Sequence, residues 1–141
     1  KRKPSLVCAP SSSLHNGYGN FLFGKLPELL ALDVNVAIGS DHASSGIVDM
    51  PQEVRLACCC YKETRINPRV MPPETGLEMA TRNGARVMGR LNDFGTLEAG
   101  KLADLLVLAE DPRVDVRAFR SLTHVMRGGR LYEQSALAQR K

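Results

Sequence analysis

The sequence predicts an α/β fold. Three observations carry this reading. A strand, a helix and a second strand follow one another by short links within the first forty residues. Helical periodicity then runs from about Asp49 to Met88. After Phe94 the character changes to short apolar runs separated by Gly and Pro, which reads as a small β segment.

The elements follow in chain order. Ser5 to Ala9 reads as a short buried strand, ended by Pro10, which has no N–H to give a sheet. Ser11, Ser12 and Ser13, with Asn16, Gly17, Gly19 and Asn20, read as a polar loop. Leu26, Leu29 and Leu30 have helical spacing, and Pro27 is tolerable in a first turn. Val34 to Gly39 is β-branched, short and bounded by turn residues, the best strand in the chain. Strand, helix and strand make one βαβ unit, hence two parallel strands with a right-handed crossover. A second loop, Ser40 to Gly46, leads to Asp49, whose spacing to Gln52 predicts a helix N-cap with a reciprocal partner. That helix runs to about Glu63, with Val54, Ala57, Cys58 and Tyr61 on one stripe. A second helical stretch, Met71 to Met88, is interrupted near Asn83-Gly84. Leu102 to Leu108 reads as a buried strand, broken by Asp111-Pro112. Leu122 to Met126 and Arg130 to Tyr132 are short strands around a Gly128-Gly129 hairpin turn.

Composition bounds the function. A chain of 141 residues is about one domain, and a closed eight-stranded α/β barrel needs roughly 200 residues or more. Hydrophobic content of 43% and charged content of 24% fit an ordinary globular domain, so neither disorder nor a coiled coil is indicated. No apolar run is long enough to span a bilayer, and no signal-peptide core follows Lys1-Arg2-Lys3, so a cytoplasmic setting is expected. The net charge of +4 is partly terminal, through Lys1, Arg2, Lys3, Arg140 and Lys141. With only 5% aromatic residues the nucleic-acid footprint is weak, and no nucleic-acid partner is expected. Cys58, Cys59 and Cys60 in a row suit neither a C-x-x-C zinc knuckle nor a disulfide framework. With Cys8 they read as small apolar residues in a reducing compartment.

Asp41 is the strongest chemical candidate. It follows the C-terminal end of a parallel strand, where the loops of α/β folds converge on one crevice. A carboxylate there can bind a metal or take a proton from an attacking water; it can equally be a turn residue. His42 follows it and points the other way on an extended segment, which suits a substrate hydrogen bond at the rim or an ordinary loop position. His15 lies in the first loop, on the same edge as Asp41, as a substrate contact or a solvated histidine. Ser12 and its neighbours can donate hydrogen bonds to a ligand there, although no G-x-S-x-G nucleophile motif is present. No G-x-x-x-x-G-K-[ST] phosphate loop occurs.

Several stretches together resemble the amidohydrolase superfamily. Val34 to Met50, Val-Asn-Val-Ala-Ile-Gly-Ser-Asp-His-Ala-Ser-Ser-Gly-Ile-Val-Asp-Met, resembles its last barrel strand and the loop that follows. The nearest branch is that of cytosine deaminase, guanine deaminase and triazine hydrolase. Glu74 to Gly89 is similar to the family's helix pair. Gly95 to Leu108, Gly-Thr-Leu-Glu-Ala-Gly-Lys-Leu-Ala-Asp-Leu-Leu-Val-Leu, is similar to its C-terminal signature, and Val125 to Tyr132 to its closing hairpin. Cys8 to Leu14 matches the seventh-strand loop through Pro10, Ser12 and Leu14.

The resemblance implies the C-terminal part of a (β/α)8 TIM-like barrel, with its last two strands and helices in residues 1–90. Residues 91–141 would then be part of a composite β-sandwich. It implies a metal-dependent hydrolase acting on C–N bonds, other than peptide bonds, in cyclic or amide small molecules, and deaminase-like. Asp41 would bind a divalent metal, zinc or iron, and shuttle protons; His42, His15 and Ser12 would touch substrate. The family's His-x-His and its metal histidines on strands five and six have no counterpart here, and Cys8 stands where that branch often has His. One carboxylate cannot hold a catalytic zinc, which takes three protein ligands. The expectation is therefore a C-terminal portion, inactive alone, whose exposed barrel edge invites pairing with a missing N-terminal portion or a second copy. The alternatives are a non-catalytic fragment that oligomerises or binds a partner, and an imidazolonepropionase-like amidohydrolase.

Overall fold

A computed structural model of the chain describes residues 4–41, 46 and 48–137. Lys1, Arg2, Lys3, His42, Arg140 and Lys141, named above, lie outside the described residues. The α/β class holds. Strand β1 (Ser5–Cys8) pairs parallel with β2 (Asn35–Ile38), Ser5 opposite Asn35 and Cys8 opposite Ile38. Between them run three short helices, α1 (Pro10–Asn16), α2 (Asn20–Phe23) and α3 (Leu26–Ala31).

The first of these corrects an expectation. Ser11 to Asn16 is a helix, not a loop. Pro10 sets the helical φ at its first turn, and the Ser13 N–H donates to the Ala9 carbonyl at 3.0 Å. The loop signal in the sequence belongs to the helix end: Gly17, at φ 67°, takes the left-handed conformation that closes α1. Ser11, Ser12 and Ser13 are buried, so polar residues that suggest a solvated loop here face the protein.

Helix α4 (Met50–Thr64) starts at the expected N-cap, Asp49. The Gln52 N–H donates to Asp49 Oδ1 at 3.0 Å, and Pro51 sits in the first turn. It buries the anticipated stripe of Val54, Ala57, Cys58 and Tyr61, and with them Glu53. Helices α5 (Pro73–Ala80) and α6 (Arg82–Val87) form the expected broken pair, but the break is at Thr81. The Thr81 hydroxyl bonds back to the Leu77 carbonyl at 2.7 Å, which competes with helix continuation. Asn83 lies inside α6 for a tertiary reason: its side-chain amide donates to the Val36 carbonyl of β2 at 2.9 Å, in a buried position.

The second sheet is antiparallel, in the order β3 (Leu105–Leu108), β4 (Leu122–Arg127), β5 (Arg130–Glu133). Gly128 and Gly129, at φ 56° and 76°, supply the two positive-φ residues of a tight hairpin. β3 is shorter and less buried than expected. It begins at Leu105, and on this edge strand Leu106 and Val107 are 46% and 38% exposed. A 3-10 helix at Val116–Ser121, which no periodicity announces, buries Val116 and Ala118 and carries Phe119 onto the core. It is entered through Asp115, whose Oδ1 accepts the Arg117 N–H at 2.8 Å. A four-residue helix α7 (Gln134–Leu137) follows β5.

The core joins Val36 and Ile38 of β2 to Val54, Ala57, Cys58 and Tyr61 of α4, with Phe21, Leu26, Met71, Met79 and Val116 around them. Phe21 and Tyr61 meet with ring centroids 4.9 Å apart. Among the described residues no helix is long and apolar enough to cross a membrane.

Two outcomes follow from this packing. A Cβ on Gly76 of α5 would stand 2.6 Å from Cys58 Sγ and 2.9 Å from Val54 Cγ1, both buried. Gly76→Ala is expected to lower stability by about 1–2 kcal/mol in denaturant titration, overpacking outweighing a helix-propensity gain of about 1 kcal/mol. The thiols give the second outcome. Burial pushes Cys8 up to about 12, with a smaller push from the nearby Glu53 carboxylate, and pushes Cys58 up to about 11. Cys59 is exposed. Iodoacetamide at neutral pH should therefore label Cys59 and spare Cys8 and Cys58 until the chain unfolds, as peptide mass mapping would read. Both folded-state values lie above the ordinary thiol value of 9.0, so the unfolded chain loses these protons first. Stability from these sites is complete below that value and should fall as pH rises from 9 towards 11 and 12.

Candidate active site

Parallel pairing brings the C-terminal ends of β1 and β2 to one edge. The Gly39 N–H donates to the Cys8 carbonyl at 2.8 Å and keeps the two strands together at that edge. Ala9 alone separates β1 from α1, and Gly39 and Ser40 separate β2 from Asp41. Asp41 is exposed and has φ 45°, a left-handed conformation that Asp adopts more readily than most residues.

The Asp41 carboxylate is held from α1. The Ser12 hydroxyl, on a residue only 2% exposed, donates to Asp41 Oδ2 at 2.7 Å. Asn16, one turn further along α1, donates its side-chain amide to the Ser12 carbonyl at 2.9 Å and to Ser12 Oγ at 3.3 Å. An amide NH2 is a donor only, so Ser12 Oγ accepts from Asn16 and its own proton is free to point at Asp41. One residue back, the Ser11 N–H donates to Glu53 Oε2 at 2.9 Å and the Ser11 hydroxyl donates to Glu53 Oε1. Glu53 is fully buried.

The remaining sequence candidates are more dispersed. His15 is exposed on the last turn of α1. His124, in β4, is half-buried with its Nδ1 3.1 Å from Thr123 Oγ1. His42 lies outside the described residues. A cavity of about 700 Å³ lies between α4, α5, the 3-10 helix and β3, lined by Met50, Val54, Leu77, Leu106 and Phe119 among others. Asp41, Ser12 and His15 do not line it. Asp111, which does, has its carboxyl pulled down to about 2 by the hydrogen-bonded Arg113 side chain, and so is a poor proton carrier near neutrality. Of the sequence candidates, Asp41 and Ser12 therefore meet at the strand-end edge and not in the apolar cavity.

Two residues at this edge escape the sequence reading, Asn16 and Glu53, while Ser11, expected as a donor to a ligand, donates to Glu53 instead. Glu53 had a usable signal. Met50, Glu53, Val54, Ala57, Cys58 and Tyr61 fall on one helical stripe, so an acid occupies a core position. A charge in that register needs a buried donor to meet it.

Comparisons with known proteins identify the family. Residues 23–132 match the amidohydrolase family. The chain is 42% identical over 109 residues to a 5-methylthioadenosine/S-adenosylhomocysteine deaminase of Moorella thermoacetica, covering 77% of this chain and 25% of that protein. It is 36% identical over 131 residues to the deaminase of the same name from Syntrophobacter fumaroxidans, covering 92% and 29%. Among solved structures it is similar to an adenosine deaminase from Xanthomonas campestris with bound zinc, at a TM-score of 0.82 and 28% identity over 97% of this chain and 34% of that one. The chain thus spans about a quarter of the length of the curated relatives it matches. With a family match over most of its residues, and with the fold of a solved deaminase reproduced along nearly its whole length, the chain belongs to the amidohydrolase family.

Proposed function

We propose that this chain contributes the Asp41 edge of a metal-dependent hydrolase that acts on C–N bonds, other than peptide bonds, in cyclic or amide small molecules. In this reading the α/β part is the C-terminal portion of a (β/α)8 barrel, residues 1–90. The antiparallel sheet is part of a composite β-sandwich, residues 91–141. The reaction is a hydrolytic deamination of a nucleoside or base, the chemistry for which the similar proteins are named. Those names favour a deaminase over an imidazolonepropionase-like activity. The four free thiols agree with a cytoplasmic setting.

The carrying observation is the Ser12–Asp41 contact at the shared C-terminal edge of two parallel strands. Asp41 takes a proton from the attacking water and returns it to the leaving nitrogen as the C–N bond breaks. The Ser12 hydroxyl occupies one carboxylate oxygen and fixes the plane of the group, leaving the other oxygen for the proton. His15 and His42 are the proposed substrate contacts. Ser12, with its hydroxyl committed to Asp41, would meet substrate only by exchanging that bond.

The family implies a divalent metal, zinc or iron, and an ion of that kind supplies Lewis acidity to such a reaction. Among the described residues no three His, Cys, Asp or Glu side chains come together to hold one. A single carboxylate falls short of the three protein ligands a catalytic zinc takes, so these residues alone do not fit the ion. Asp41 is proposed as one ligand of a set completed outside this chain.

One observation favours a second reading, a fragment that pairs with a partner or a second copy without catalysis. Leu6 and Val7 of β1 are 39% and 53% exposed, an open apolar edge.

The test uses the protein that carries this chain, supplied with zinc, and measures ammonia release from 5-methylthioadenosine, S-adenosylhomocysteine, adenosine and guanine. Turnover of at least one is expected, and Asp41→Asn should lower kcat by about a hundredfold to ten-thousandfold with the circular dichroism unchanged. Full activity in Asp41→Asn, or no turnover together with no bound zinc, would overturn the hydrolase reading in favour of the second.

A further inference from the structure

Glu53 presents a physical problem that the fold does not solve by itself. A carboxylate with no exposed surface costs several kcal/mol of lost hydration unless hydrogen bonds replace the water. Among the described residues no cation pairs with it, and both hydrogen bonds it receives come from Ser11. The neighbours on its helix stripe are apolar, and a methionine or leucine there would pack without that cost. What Glu53 does accomplish is to fix the start of α1. It accepts the Ser11 N–H, one of the donors that the first turn of a helix leaves unpaired, and it also accepts the Ser11 hydroxyl.

Ser11 and Ser12 are consecutive on a helix, so their side chains leave the axis about 100° apart. Holding Ser11 against Glu53 therefore fixes the direction of Ser12, and that direction is towards Asp41 Oδ2, 2.7 Å away. Asn16 completes the arrangement by occupying Ser12 Oγ as a donor.

We infer that Glu53 and Ser11 are positioning residues, which hold the Ser12 hydroxyl on Asp41 and so set the orientation of the carboxylate that handles the proton. The inference rests on the role proposed for Asp41 and adds to it the machinery that aims it. Glu53 touches no reacting atom; it acts through Ser11 and then Ser12. A merely structural Glu53, an anchor for α1 and nothing more, would change stability without changing what Ser12 does.

The test is a cycle of Ser12→Ala, Glu53→Gln and the double variant in the protein that carries this chain. Glutamine keeps the shape but can accept from Ser11 at one oxygen only. Each single variant should lower kcat by about tenfold with KM within about twofold, and in the Ser12→Ala background Glu53→Gln should change kcat by less than about twofold. The second readout needs neither metal nor activity: the 13C resonance of the Asp41 carboxyl carbon in metal-free protein labelled at aspartate, assigned by its loss in Asp41→Asn. Ser12→Ala should move that resonance, Glu53→Gln should move it the same way, and the double variant should move it no further than Ser12→Ala. Should Glu53→Gln prove too unstable to fold, Ser11→Ala removes one of the two donors to Glu53 and is read in its place. A resonance unmoved by Glu53→Gln, or effects of the two substitutions on kcat that simply multiply, would overturn the inference. Activity retained in Asp41→Asn would sink the proton role alone, and the resonance pattern would still decide whether Glu53 aims Ser12.

Discussion

Two parallel strands cannot be joined by a tight turn; the chain must cross back over the sheet, and both strands then finish at the same edge. Everything at the candidate site depends on that constraint. It sets the start of α1, directly after β1, beside the residues that follow β2, so Ser12 meets Asp41 across 29 positions of sequence. It also leaves α4 free to pack under the same edge, where Glu53 reaches Ser11 across 42 positions. None of these contacts is local. Each is a consequence of the register in which Cys8 lies opposite Ile38.

The two carboxylates at this edge are treated in opposite ways. Asp41 is exposed, keeps much of its hydration, and needs only one hydroxyl to orient it. Glu53 is fully buried and depends on the two donors of Ser11. A buried ionisable group usually gives less stability than an apolar residue of the same size, so its presence in a core stripe is better explained by what it orders than by what it stabilises. Ser13 shows the contrast within the same helix: its hydroxyl is buried with no hydrogen-bond partner among the described residues, although its neighbours Ser11 and Ser12 are both engaged. Three identical side chains in a row thus have three different environments, set by their angular positions on α1.

That contrast marks the limit of what the sequence discloses. The β2 strand, the N-cap at Asp49, the apolar stripe of α4 and the Gly128-Gly129 turn are local in origin, and they are legible from spacing and residue type. Residues 10–16 mislead because serine, asparagine and glycine favour loops when only local preference is counted. A buried acid from another helix meets the Ser11 donors, and Gly17 closes the helix instead of opening a loop. Asn83 misleads in the same way: an expected helix breaker becomes a buried donor to the backbone of β2. The position of Asp41 at the strand end was legible, but its partner was not, because a hydrogen bond from a serine in a presumed loop leaves no periodic trace.

The burial of the parallel pair is lopsided. Val36 and Ala37 of β2 are 0% and 2% exposed, whereas Leu6 and Val7 of β1 are 39% and 53% exposed. Parallel strands are ordinarily covered on both faces, and a sheet of two such strands is a poor independent unit. The outer edge of β2 is partly met by Asn83 and the elements packed on it, while β1 presents exposed apolar side chains. The second sheet repeats the asymmetry, with Leu106 and Val107 exposed along β3 at its edge. Exposed apolar residues on a strand of each sheet are the surfaces that the proposed pairing with further strands would cover.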